Sequence, residues 1–164
     1  MRPSPIPPGP GQESVWDYPR PPRVEAVRRQ CEVIFGGQTI AITLTPLRVL
    51  ETSHPPVYYF PPDSVLAGAL SPTTGASLCE WKGMATYFDV VRGNEMAAAG
   101  AWTYRDPRPG YEALRDHIAF YPSAMEACLV DGELVRPQPG GFYGGWITMD
   151  VVGPFKGEPG SGAW

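Results

Sequence analysis

At 164 residues, 43% of them hydrophobic, the chain has the size and apolar content for one globular core. Thirteen basic against seventeen acidic residues leave a net charge of −4. No stretch gathers enough lysine and arginine to neutralise a phosphate backbone, so no nucleic-acid partner is expected. Residues 1–12 lack the charged start, apolar run and small-residue cleavage site of a secretory signal, and no apolar run approaches the length of a membrane span. A cytoplasmic protein with no membrane partner is the expectation.

Twenty-one prolines and nineteen glycines predict that much of the backbone is turn or extended strand. The first fourteen residues, rich in both and without apolar periodicity, read as a disordered or polyproline-like tail. Residues 15–30 read as an extended arm that lays Trp16 and Tyr18 on the body of the protein. A core domain is expected over 31–137, followed by a Gly/Pro/aromatic extension over 138–164.

Within the core, Cys31, Val33 and Phe35 alternate up to Gly36-Gly37, and apolar positions resume at Thr39, Ile40 and Ile42, which predicts a hairpin. Further strands are predicted at 47–50 and 57–60, separated by an extended His54-Pro55-Pro56 segment. Asp63 or Ser64 is placed to cap one helical turn through Val65 to Leu70. Strands are predicted at 77–81, 84–91 and 98–104, with Gly93-Asn94 turning the chain between the last two. After Pro107-Arg108-Pro109, Tyr111, Leu114 and Ile118 recur at helical spacing and predict one principal helix packed across the sheet. Asp131-Gly132 predicts a second hairpin between Cys128–Val130 and Leu134-Val135. The predicted class is therefore mainly β with one principal helix, an α+β fold.

Three stretches carry a family resemblance: His54-Pro-Pro-Val-Tyr-Tyr59, Cys79-Glu-Trp-Lys-Gly-Met-Ala-Thr-Tyr87 and His117-Ile-Ala-Phe-Tyr-Pro122. Their order and spacing resemble the bacterial domain-of-unknown-function family 427, over roughly residues 23 to 137. The resemblance implies twisted antiparallel sheets of the β-tent (Mss4-like) kind. Several β-tent relatives hold a structural zinc with two Cys-x-x-Cys pairs. Cys31, Cys79 and Cys128 form no such pair, so no metal and no cofactor are expected. The family is also filed under a nucleotidyltransferase heading. Such enzymes place paired carboxylates around Mg²⁺ beside a phosphate-cradling glycine loop, and neither pattern is visible in this chain.

The same stretches supply the candidate site residues. Cys79 reads either as a core thiol or as a nucleophile whose thiolate is favoured by Lys82 three residues on. Lys82, beside Trp81 and Gly83, either extends outward or is held for an anion. His54 and His117 are the two histidines, each beside an aromatic cluster; either can act as an acid/base or simply fix a turn. Tyr58, Trp81, Tyr87, Trp102, Tyr104 and Tyr121 can wall a ligand pocket or fill a core, and Glu51 precedes the His54 segment. Three functions stay open: a binding module for a small, nucleotide-like or anionic molecule; an enzyme using a Cys79 thiolate or His54 as acid/base; and a structural or interaction domain, monomeric or homodimeric.

Overall fold

The computed structural model describes residues 2–164. Antiparallel strands dominate it. A four-stranded sheet runs in the order Ile118–Phe120, Glu95–Tyr104, Gly83–Arg92 and Leu70–Cys79, and a second runs Glu133–Leu134, Ala127–Val130, Cys31–Phe35 and Gln38–Thr43. A three-stranded sheet joins Arg23–Ala26, Leu47–Leu50 and Val57–Tyr59. The hairpin predicted around Gly36-Gly37 forms with both glycines at positive φ, 62° and 75°, a conformation that costs a side-chain-bearing residue more. The Asp131-Gly132 hairpin likewise turns through two residues at positive φ.

The principal helix predicted after Pro109 is absent, and the protein is nearly all β. Among the described residues, helical structure is limited to four three-residue 3-10 turns, at Val15–Asp17, Pro62–Ser64, Glu112–Leu114 and Pro122–Ala124. Tyr111, Leu114 and Ile118 are all buried, as a helix face would be. The chain buries them by bending twice instead. Gly110 takes a φ of 95° and Asp116 a φ of 60°, which breaks the segment on both sides of the 3-10 turn. Ile118–Phe120 then pairs as a strand against Thr103, Trp102 and Ala101. The helical turn expected at Val65–Leu70 is replaced by the earlier Pro62–Ser64 turn, because Leu66 donates its amide to Ile40 O and Leu70 already begins a strand.

Apolar side chains gather in three clusters. The largest lies between the two four-stranded sheets and contains Val33, Phe60, Phe120 and Trp146. The second contains Val49, Tyr59, Ala85, Trp102, Tyr104 and Leu114. The third packs Val15, Trp16 and Tyr18 with Leu50, Ile147 and Val151, joining the two ends of the chain. There Arg48, buried to 5% exposure, forms a paired contact with the Glu13 carboxylate at 2.9 and 3.2 Å and reaches Glu25 at 2.8 Å. Glu13 opens the short parallel pairing of 13–14 with 151–152, so one guanidinium connects the amino-terminal segment, the three-stranded sheet and the carboxy-terminal segment.

Candidate functional site

Strand alternation builds a cleft on the open side of the second cluster. In the four-stranded sheet Ala85 stands opposite Tyr104 and Tyr87 opposite Trp102, which in turn stands opposite Ala119. Ser77 faces Ala85 from the edge strand, so Ser77, Tyr87, Trp102 and Tyr104 share one face, and Tyr121 extends it one strand further. The result is a cleft of about 710 Å³. Trp102 packs 4.6 Å from Tyr121 between ring centroids and meets Tyr59 edge-on at 6.2 Å. Its indole N–H donates to Tyr59 Oη at 3.3 Å, and Ser77 and Tyr87 share a hydroxyl contact of 2.6 Å.

Two polar groups enter from turns. Lys82 sits in the turn between Cys79 and Gly83, which Arg108 holds by donating its amide to Lys82 O at 2.9 Å and its guanidinium to Glu80 O at 2.6 Å. Its Nζ lies 5.8 Å from the Tyr104 ring centroid. Burial works against the ammonium, but Tyr59, Cys79 and Glu51 outweigh it and hold the Lys82 pKa above the ordinary lysine value. Burial raises Tyr59 and Tyr104 as well, so both stay protonated at neutral pH while Lys82 stays charged.

His54 follows Ser53, a buried residue held at a φ of 73°. The Gln138 amide determines its tautomer. Gln138 Oε1 accepts the Gly145 amide at 3.0 Å, and Nε2 donates to Lys156 O at 2.9 Å and to His54 Nδ1 at 3.1 Å. Because Nδ1 accepts, the imidazole proton is on Nε2, which lies 3.9 Å from Glu51 Oε2. Burial and then the charges of Arg20, Lys156 and Lys82 push the His54 pKa down to about 4. Glu51 does not reverse this, because it lies beyond hydrogen-bond length and also pairs with Arg20 at 3.4 Å. At neutral pH His54 is therefore a neutral donor.

Of the side chains selected from sequence, the structure brings Glu51, His54, Cys79, Trp81, Lys82, Tyr87, Trp102, Tyr104 and Tyr121 to this cleft. Tyr58 and His117 lie elsewhere. Tyr58 points to the opposite face of its strand, against Trp146 at 5.3 Å, and its hydroxyl accepts from Arg29 at 3.0 Å. His117 precedes the Ile118–Phe120 strand and donates through Nδ1 to Arg115 O at 3.2 Å. The sequence reading missed Tyr59, Gln138, Tyr143 and Gly144. Tyr59 follows from alternation, since adjacent tyrosines on a strand face opposite ways. Gly144 lies flat against the Trp102 indole, where a β-carbon would collide with the ring, and a β-carbon on Gly145 would stand 2.6 Å from Pro55 Cγ. The two glycine pairs of Gly-Gly-Phe-Tyr-Gly-Gly-Trp are the signal for that close approach. Nothing in the sequence marks Gln138.

Among the described residues, no group of three or more His, Cys, Asp or Glu side chains is placed to hold a metal ion. Over the same residues, no helix is long and apolar enough to cross a membrane. Comparison with curated proteins finds no match. The sequence profile of one family does match, over residues 23–131, a span that supplies most of the cleft and stops short of Gln138, Tyr143 and Gly144. On that match the chain belongs to the family described as a domain of unknown function, DUF427.

Proposed function

We propose that the protein is a small-molecule-binding module whose ligand lies in the aromatic cleft. One observation carries this reading: nine side chains picked from separate stretches as chemically suited to a ligand line a single hollow instead of being buried apart. Flat aromatic walls with a few fixed polar groups are the usual make-up of a small-molecule site. The packed antiparallel sheets also support assigning the fold to the β-tent kind. A thermal-shift screen of flat metabolites tests the proposal. A compound present at about 100 times its Kd should add about 2.7 kcal/mol and raise Tm by roughly 5–10 °C. Ala98 is exposed at the rim, and Ala98→Trp should fill the mouth and abolish the shift while leaving the unliganded Tm near that of the wild type. The reading fails if no compound shifts Tm, or if the shift survives Ala98→Trp.

A second reading, an enzyme with a Cys79 nucleophile, has one observation in its favour. Cys79 lies on the cleft wall beside Lys82, whereas Cys31 and Cys128 are fully buried and burial pushes both thiols up, Cys31 to about 12. Iodoacetamide should therefore alkylate Cys79 alone in the folded protein, with Cys31 and Cys128 modified only in denaturant. A Cys79 rate more than about tenfold above that of free cysteine at pH 7 would favour nucleophilic use, and a slower rate would leave Cys79 as part of the wall. His54 fits this reading only as a donor, since its Nδ1 is occupied and its pKa is too low for it to hold a second proton at pH 7.

A further inference from the structure

We infer that the ligand of this cleft is a flat aromatic acid bearing one negative charge, its carboxylate held by Lys82 and His54, and not a nucleoside polyphosphate. The inference rests on the binding reading above and specifies its ligand class.

Charge balance in the cleft points to an anion. Lys82 is the cation of the cleft lining, and no carboxylate stands within 4 Å of its Nζ among the described residues. A half-buried ammonium that touches no carboxylate favours an anion at that point. Glu51 is already drawn to Arg20, so it does not neutralise Lys82 by contact. A second donor, His54, lies in the same lining as Lys82. Gln138 leaves the His54 proton on Nε2. The cleft thus offers one charged donor together with a neutral imidazole donor, a set suited to a single carboxylate. A triphosphate would set about four negative charges against that one ammonium, with Glu51 and Glu80 also in the lining. Trp81, Tyr87 and Tyr121 keep part of their rings exposed in the lining and are backed by the buried Trp102 and Tyr104, so the remainder of the ligand is best matched by a planar, weakly polar group. Gln138, Tyr143 and Gly144 complete this arrangement from outside the family-matched span, which makes the acid preference a property of chains carrying this carboxy-terminal segment.

Isothermal titration calorimetry with two matched pairs tests the inference: benzoate against benzamide, and indole-3-carboxylate against its carboxamide, with ATP as a further probe. Within at least one pair the acid should bind at least about tenfold tighter than its amide, and ATP should bind more weakly than that acid. Lys82→Met, which keeps the aliphatic stem, should bring acid and amide to within about twofold, and Gln138→Leu should weaken the acid as well. Amides that bind as tightly as the acids in the wild type overturn the anion assignment and leave the cleft as a neutral binding site. ATP binding tighter than both acids overturns the ligand class. Absence of heat from every compound at millimolar concentration overturns the inference, while a positive thermal-shift screen would still uphold the binding reading.

Discussion

Replacing Trp146 with alanine is expected to destabilise the protein by about 3–5 kcal/mol, even though this residue lies beyond the family-matched span. Trp146 is fully buried in the largest cluster, 5.3 Å from Tyr58 and 6.0 Å from Phe60 between ring centroids. Its amide donates to Pro56 O at 2.8 Å and its indole N–H to Phe120 O at 3.2 Å. Alanine would empty an indole-sized volume between two sheets that are pinned by their own ladders, and would leave the Phe120 carbonyl without that donor. Trp146→Phe should cost less, since the benzene ring refills most of the space while the hydrogen bond is still lost. Urea unfolding checks both, with the midpoint expected to fall and the slope to stay unchanged. A Trp146→Ala protein within about 1 kcal/mol of the wild type would show that the segment after Gln138 is laid on the core without supporting it.

That dependence bears on the site. The segment that sends Trp146 into the core also sets Gly144 against Trp102 and Gln138 against His54, so core packing and cleft geometry share one anchor. Loosening Trp146 should therefore disturb ligand binding before it unfolds the sheets.

Strand pairing was legible in the sequence wherever side chains alternate between a wet and a dry face. Cys31, Val33 and Phe35 are buried while Glu32 and Ile34 are less so, and the turn glycines mark the ends. The 111–118 segment misled because Tyr111, Leu114 and Ile118 satisfy helical spacing and are indeed all buried. Periodicity records which residues are dry, not how the backbone dries them, and here Gly110 and Asp116 at positive φ fold the chain into a turn and a strand. The cleft was legible through residue types suited to ligands. Its completion was not, since Gln138 acts through a contact spanning 84 residues that leaves no local pattern. Tyr58 shows the converse: it shares the chemistry of Tyr59, and only the parity of its position sends it to the largest cluster instead of the one that backs the cleft.

His54 makes the stability of the protein depend on pH in a window where carboxylates contribute little. In the folded chain His54 takes up its proton only near pH 4, against 6.5 for the ordinary side chain, because burial and the cations Arg20, Lys156 and Lys82 oppose the imidazolium. Between those values the unfolded chain binds a proton that the folded chain does not, so acidification favours unfolding. The gap corresponds to about 3 kcal/mol in total, of which about 2 kcal/mol should be lost between pH 7 and pH 5. Glu13 and Asp150 have lowered pKa values and contribute stability that is fully present above the ordinary carboxylate range, so their loss falls mainly below this window. His54→Asn removes the titration, while its side-chain oxygen can still accept from Gln138. Urea unfolding of both proteins at pH 7 and 5 should show the wild type losing about 2 kcal/mol more than the variant. Equal losses would mean that His54 is protonated as readily in the folded chain as in the unfolded one, and the neutral Nε2–H donor assigned to the cleft would be lost with it.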